Sequence, residues 1–463
     1  MSRVHFIGIG GSGLSAIARL LLERGDTVTG SDRELSTFAV DVQKAGASVY
    51  IGHHADNVGE ANYVVRSSAI PDENPEVQAA LKANIPVYKR ADFLGQLMED
   101  KVGIAVAGTH GKTTTTAMLA WVLTKLNHDP SFIVGSVMSN LGVNAHAGKG
   151  NTFVIEADEY DRMFLGLKPR IGIVTNLEHD HPDCYPTYAD MYDAFESFVD
   201  LLPPDGTLIV SAENSGSAAL IPHARKTGKA VVSYAIQGEM TISSPNWVQA
   251  HDVETNAFGG MTFQMSSNIM GNPARVKVDL HVPGEHNVRN ALAVLAVVDL
   301  LGLSKYEAAE ALSEFKGTRR RFEIVGEVKG ITVVDDYAHH PTEIQATLAA
   351  ARSQFPKGRI WAVWQPHTFS RTKTFFTEFS RAFKDADEVI VSEIYASREP
   401  KQEFSSAEVV SSMSHPSAQF IAKLPDISKY LLEHLKPDDI LVVLSAGDAN
   451  RICRDVLSEL RER

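Results

Sequence analysis

The sequence predicts an α/β protein of three domains built around largely parallel sheets, and three observations carry that expectation. Strand, helix and strand follow one another at the start of the chain. A second strand–turn–helix unit begins near residue 102, and the alternation resumes from about residue 318 after a long strand-rich stretch. A chain of 463 residues is also too long for one ordinary core, so several domains are expected on length alone.

The first domain, 1–98, opens with the apolar strand VHFIGIG, a glycine turn and a helix, LSAIARLLLERG, whose apolar residues recur at helical spacing. The strand TVTGSD follows, and a strand–crossover–strand unit belongs to a parallel, Rossmann-like sheet. The glycine turn holds Gly8, Gly10 and Gly13, with Gly11 and Ser12 between them, and Asp32 closes the next strand. This is the spacing of a dinucleotide fingerprint, in which glycines let the backbone approach a pyrophosphate. Taken alone it points to an NAD-dependent oxidoreductase, or to a turn that serves only helix–sheet packing.

The second domain, 99–317, begins with the strand VGIAVAG and runs through THGKTTTTAMLAWVLTKL into a helix. Two apolar strands come later, TFVIEAD and IGIVTN; between about 205 and 285 the text is β-rich with few charges, as expected of a meander or an added antiparallel sheet. The helices NVRNALAVLAVVDLLG and KYEAAEALSEFKG close the domain, with Gly317 expected as the C-cap of the second. The third domain, 318–463, alternates GITVVDDY, RIWAVWQPH, DEVIVSEIY and DDILVVLSAGD with helical text, as a doubly wound, Rossmann-like unit would.

Bulk properties exclude several classes. A formal charge of -13 argues against duplex nucleic acid as a partner. With two cysteines, Cys184 and Cys453, there is neither a disulfide framework nor a Cys-rich metal site. The longest apolar stretch, around Ala291–Leu303, is interrupted by Asp299 and too short to span a bilayer. MSRVHFIGIGG runs straight into a strand without a signal-peptide pattern, so a cytoplasmic protein, monomeric or homodimeric and without a membrane partner, is expected.

The strongest chemical signal is Gly108-Thr109-His110-Gly111-Lys112-Thr113-Thr114 between strand and helix. Such a P-loop turns successive backbone N–H groups into one concavity at a helix N-terminus and stabilises a polyphosphate there. Lys112 can reach the β- and γ-phosphates, and the Thr113 hydroxyl is placed to ligate Mg²⁺. The match departs from the standard pattern at Val106, where a glycine is usual. Glu156, near the end of TFVIEAD, and Glu178, His179, Asp180 and His181, after IGIVTN, should face the cradle, because ligands of parallel sheets bind beyond the carboxyl ends of strands. EADEYD holds four carboxylates, Glu156, Asp158, Glu159 and Asp161, and the pattern does not choose among them.

The texts AGTHGKTTTT, EADEYD, TNLEHDH, PGEHNVRNALA, RRRFE, DDYAHHPTE and QPHTFSRT, in this order, resemble the Mur ligase family over nearly the whole chain. IGIGGSGLSAIA, GTHGKT and DDYAHHPTE are similar to its alanine-adding branch. The resemblance implies ATP-dependent ligation of L-alanine to UDP-N-acetylmuramate in peptidoglycan precursor synthesis, with Mg²⁺, or Mn²⁺ in its place. It also implies roles. Gly8, Gly10, Gly11, Ser12, Gly13, Asp32, Ser67 and Ser68 would hold the UDP-sugar, so the first glycine motif reads as its pyrophosphate site. Lys112 and Thr113 would hold phosphates and a first metal with Glu156, and His181 a second metal. Asn290 would contact adenine, Arg321 and Asp336 would approach the nucleotide from the third domain, and His367 and Arg371 would bind the amino acid. Lys112, Glu156, His181 and Arg371 form the expected catalytic set.

Two departures bear on the branch. Some members place a carbamylated lysine after the position of His181; here no lysine occurs before Lys226, and Glu196 lies near the expected place, as in the alanine-adding branch. Thr368 stands where some members have arginine, which shifts weight onto Arg371. A muropeptide-recycling ligase that attaches a tripeptide to the same sugar is the near alternative. Within these motifs, the run Arg319–Arg321 sits at the domain boundary, where at least one arginine is expected to swing onto the γ-phosphate as the domains close, and His339 and His340 are open between a chemical role and a helix start.

Overall fold

The computed structural model describes residues 1–237, 244–269 and 272–462. It is an α/β protein of three domains, each organised on one sheet. In the first, five parallel strands lie in the order Ser48–Ile51, Thr27–Asp32, Arg3–Ile7, Tyr63–Arg66, Val87–Lys89. The helix Ser12–Glu23 packs Leu14, Ile17, Leu20 and Leu21 onto this sheet, which is the face its apolar spacing predicts.

The second sheet has ten strands. Seven parallel strands, among them Val102–Ala107, Thr152–Glu156 and Ile171–Val174, bring the expected site residues to their carboxyl ends. Asn246–Thr255 joins the parallel strand Ala230–Ile236, then Met261–Ile269 and Asn272–Leu280 add two antiparallel rungs. The β-rich stretch is thus an extension of the main sheet rather than a separate one. Met261–Ile269 alternates buried and half-buried side chains, the period-two signature of a sheet with one covered face. The cover is the helix Glu285–Leu300, whose Val288, Leu292, Leu295 and Val298 are fully buried.

Gly317 is not a helix cap. The helix Lys305–Ser313, started by Ser304 accepting from the Glu307 N–H, ends with Glu314 as its C-cap. The chain leaves the helix early because Phe315, with no exposed surface, turns into the core, and Gly317 (φ +84°) serves the following turn instead.

The third sheet orders six strands as Glu323–Val328, Ile331–Asp336, Asp439–Ser445, Arg359–Gln365, Glu388–Val391, Ala418–Phe420, parallel except for the first pair. Asp439–Ser445 is buried along its whole length, as a central strand covered by helices on both faces must be. No helix among the described residues is long and apolar enough to cross a membrane.

Candidate functional site

Backbone geometry at the phosphate loop is set by two glycines and two side chains of the neighbouring strand end. Gly108 has φ +130°, and a Cβ there would lie 2.0 Å from Thr175 Oγ1. Gly111 has φ +81°, and a Cβ would meet Asn290 Oδ1 at 2.7 Å. Asn176 Oδ1 accepts from the His110 N–H at 2.8 Å, while Thr175 Oγ1 donates to the His110 carbonyl at 2.6 Å. The helix Lys112–Lys125 starts directly behind this turn, so its N-terminal partial charge faces the concavity. Gly108→Ala is accordingly expected to distort the loop and to weaken ATP binding at least about tenfold; unchanged binding by calorimetry would show that the loop tolerates the displacement.

Lys112 lies folded along the loop. Its ammonium donates to the carbonyls of Gly108 (2.6 Å) and Thr109 (3.1 Å) and to the Glu159 carboxylate at 2.9 Å. Burial would lower its pKa, but Glu159, aided by Asp158 and Glu156, outweighs this and holds the ammonium charged. Thr113 Oγ1 donates to Glu156 Oε1 at 2.9 Å, and the Gly135 N–H donates to Glu156 Oε2 at 2.7 Å. Burial pushes the Glu156 carboxyl up despite Lys112 nearby, as expected of a carboxylate short of positive charge.

Beside the loop, a cavity of about 690 Å³ opens between the second and third domains. Of the expected nucleotide residues, His110, Gly111, Thr113, Thr114, Asn290, Arg321 and Asp336 line it. Gly108, Thr109 and Lys112 belong to the same loop but are not part of that lining. Asn290 is mostly engaged beneath the loop: its Oδ1 accepts from Thr115 Oγ1 and its Nδ2 donates to Asn287 Oδ1, both at 3.1 Å. Asp336 accepts from the N–H groups of Phe322 and Ala338, and burial raises its pKa to about 6 against the opposing charge of Arg321. Among the three consecutive arginines only Arg321 lines the cavity; Arg320 turns into the third domain, where its guanidinium bonds the Ser445 carbonyl.

A second cluster forms where the third domain meets the segment after Ile171–Val174. Arg371 is 3 % exposed. Its Nε donates to Asp180 Oδ1 at 2.8 Å, and its other nitrogens lie 3.0 Å from His367 Nδ1 and 3.3 Å from His181 Nδ1. Sequence motifs almost two hundred residues apart, Asp180–His181 and His367–Arg371, therefore meet. Burial, reinforced by Arg371, lowers His367 to about 4, so this imidazole is neutral and accepts from the guanidinium. His181, with φ +52°, places Nε2 3.5 Å from Glu159 Oε1, and Glu159 thus links this cluster to Lys112. Glu159, one of the four carboxylates among which the sequence pattern does not choose, and Asp180, expected only to face the cradle, are thus functional candidates to which the sequence assigned no role.

The expected UDP-sugar residues gather at the carboxyl end of the first sheet, on a domain of their own. Gly8 has φ +89°, with Ser67 Cβ 3.2 Å from where its own Cβ would be. Asp32 accepts from the Gly10 N–H at 2.7 Å, so as arranged it braces the glycine loop. Gly13 stands against Arg90, whose guanidinium carbon would be 2.3 Å from a Cβ there. Arg90 thus places a cation at the start of helix Ser12–Glu23, and no sequence motif marked it. Ser68 follows Ser67 in the same loop, at the end of strand Tyr63–Arg66.

The donor set at the phosphate loop fits a divalent cation. Thr113 Oγ1 and two buried or half-buried carboxylates, Glu156 and Glu159, supply the hard oxygens that Mg²⁺ prefers. The raised pKa of Glu156 marks a carboxylate that added positive charge would stabilise. His181 is less free, since it already contacts Arg371 and Glu159.

Comparison with known proteins agrees with this architecture. Models of the Mur ligase family match in three consecutive pieces: the catalytic domain at 3–102, the middle domain at 106–298 and the glutamate ligase domain at 320–447. The UDP-N-acetylmuramate–L-alanine ligase of Salinibacter ruber is 41 % identical over 451 residues, covering 96 % of this chain and 92 % of its own. The solved UDP-N-acetylmuramate–alanine ligase of Thermotoga maritima superposes with a TM-score of 0.80 at 29 % identity, over 100 % of both chains. A murein peptide ligase from Psychrobacter arcticus gives 0.71 at 29 % identity over 99 % of both. A three-domain chain with this phosphate loop, matched by family models along nearly its whole length, belongs to the Mur ligase family.

Proposed function

We propose that the chain is an ATP-dependent ligase that joins L-alanine to the carboxylate of UDP-N-acetylmuramate, a step of peptidoglycan precursor synthesis carried out in the cytoplasm. The observation that supports this most is the meeting of two half-sites. The phosphate loop with Lys112, Thr113 and Glu156 faces, through Glu159 and His181, the pair of buried Arg371 and half-buried His367 of the third domain. The full-length similarity to alanine-adding ligases points to the same substrates, and it disfavours the oxidoreductase reading of the first glycine motif.

A carboxylate and an amine do not condense near neutral pH, because oxide is a very poor leaving group. Transfer of the γ-phosphoryl group of ATP to the sugar carboxylate gives an acyl phosphate; the amine attacks its carbonyl carbon, and inorganic phosphate leaves with the C–O bonding electrons. The first step brings two anions together, so charge is the main barrier. Lys112 is positioned to leave its carbonyl partners and neutralise the transferring phosphoryl group. A divalent ion held by Thr113 and Glu156 would supply further positive charge to the same phosphates. The loop's N–H groups orient the polyphosphate, and Arg371, with neutral His367, offers a cation to the amino-acid carboxylate. Closure of the third domain over the cavity would exclude water and protect the acyl phosphate from hydrolysis.

The test is ADP release with UDP-N-acetylmuramate, Mg²⁺ and a panel of amines. L-Ala is expected to support turnover best, ahead of L-Ser and Gly. Preference for a tripeptide over L-Ala would replace this reading with that of a recycling ligase, and turnover without any dependence on ATP would end both.

A further inference from the structure

His110, the third residue of the phosphate loop, reaches out of its own domain. Its Nδ1 lies 3.2 Å from Glu343 Oε1 and its Nε2 3.5 Å from Glu178 Oε2. Glu178 follows the strand Ile171–Val174 in the second domain, and Glu343 stands in the first turn of the third-domain helix Pro341–Gln354. One imidazole is therefore shared by carboxylates from two domains. Burial would lower its pKa, but Glu178 and Glu343 raise it to about 9, so the ring is a cation between two anions. Thr342 Oγ1 crosses the same boundary and donates to Glu178 Oε2 at 2.8 Å. The His340 ring packs on that of His110 at a centroid distance of 4.7 Å. Thr109 Oγ1 accepts from the Glu178 N–H at 2.9 Å, so Glu178 is itself tied to the phosphate loop. Glu343 also accepts from the His339 N–H at 3.0 Å, which fixes its carboxylate at the helix start.

We propose that Thr342 and Glu343 are positioning residues which, with His110 and Glu178, clasp the third domain shut over the phosphate loop. A clasp made from the loop's own side chain couples the shape of the nucleotide site to the position of the domain that carries Arg371. Open molecules do not present Arg321, Asp336 and Arg371 to the site, so losing the clasp lowers the binding-competent fraction and weakens apparent ATP affinity in proportion.

His110, Glu178 and His340 also place one ligating atom each within 4.8 Å of one another, a spacing that a metal ion could bridge. Tautomer chemistry opposes that use. The Thr342 N–H donates to His340 Nδ1 at 3.3 Å, as part of the helix cap. Burial and the charge of His110 keep the His340 ring neutral, so with Nδ1 accepting it carries its proton on Nε2, and neither nitrogen can ligate without losing a bond or a proton.

The variants to compare are Thr342→Val, Glu343→Gln and the pair, each as full-length protein. For the double variant, KM for ATP is expected to rise about tenfold, with kcat falling less than threefold; since Thr342 and Glu343 also line the cavity, the radius of gyration, and not KM alone, tells an opened domain from a lost contact. With ADP and magnesium chloride, small-angle scattering should give a larger radius of gyration for the double variant than for the wild type. Thr342→Val alone, which leaves the helix cap in place, should show the same changes in smaller measure. Wild-type kinetics together with an unchanged radius would overturn the clasp. So would retention by the dialysed wild type of one zinc per chain that His110→Asn releases, since a metal would then hold the junction. The kinetic readout rests on the ligase reading, whereas scattering does not: a wild type that releases no ADP refutes that reading, and the radii still decide this one.

Discussion

Lys112→Ala is expected to reduce ADP release by at least about 10²–10³-fold, the usual effect of deleting one group aimed at developing charge. UDP-sugar binding should stay within about twofold of wild type, because Gly8, Gly10, Asp32 and Ser67 lie on a separate sheet. The structure adds a complication. Glu159 is 1 % exposed and has the Lys112 ammonium as its close cationic partner, with His181 further off. Removing the lysine leaves a buried carboxylate short of charge, at a cost of about 3–5 kcal/mol. Loss of activity in the single variant could then reflect unfolding as well as lost chemistry. The double variant Lys112→Ala/Glu159→Gln separates the two effects. It should recover most of the lost thermal stability while remaining inactive, and recovery of turnover along with stability would remove Lys112 from the chemistry. If UDP-sugar binding disappears while ATPase activity persists, the division of labour between the domains is wrong.

Arg371→Ala is the second large effect. As the residue proposed to receive the amino-acid carboxylate, its loss should raise KM for L-alanine at least about tenfold more than KM for ATP, a difference worth about 1.4 kcal/mol. Yet Arg371 is also one half of a buried ion pair with Asp180 that spans two domains. Burial would raise the Asp180 carboxyl, but the neighbouring charge of Arg371 overrides this and holds it well below the usual range, so removing Arg371 leaves a buried acid whose charged form has lost its main partner. The substitution should therefore destabilise the protein as well, again by about 3–5 kcal/mol. Arg371→Ala/Asp180→Asn should regain stability but not amine affinity. Equal effects on the two KM values, relieved together in the double variant, would make Arg371 a strut between domains and not a binding group.

The division of the site between sequence and structure follows a physical line. Gly108 to Thr114 were legible because a phosphate cradle needs its glycines, lysine and hydroxyl at fixed spacing on one strand–helix turn. Glu156 was legible for a related reason, since it ends a strand of the same sheet and so reaches the same edge. Glu159 was not, because three further carboxylates share EADEYD and the chain there leaves regular geometry: Asp161 and Arg162 both take φ +54°, which no periodicity anticipates. His367 and Arg371 could be named from motif resemblance, but their engagement with Asp180 and His181 is purely tertiary. Asn290 shows the same limit in another way. Motif position brought it to the nucleotide, whereas its hydrogen bonds show how much of the side chain is spent beneath Gly111. The roles of His340 and Glu343 depend on which domain faces which, and a local pattern is silent about that.

The placement of Asn290 carries a further consequence. It sits on the helix whose apolar flank roofs the antiparallel rungs added to the central sheet, so those rungs anchor the foundation of the phosphate loop. A repacking defect at Phe263 or Met265, remote from any substrate, would tilt that roof and be felt as a blurred nucleotide cradle. What looks like an appendage to the sheet thus behaves as a keel, and compounds that wedge beneath the helix could disarm the enzyme without competing with ATP.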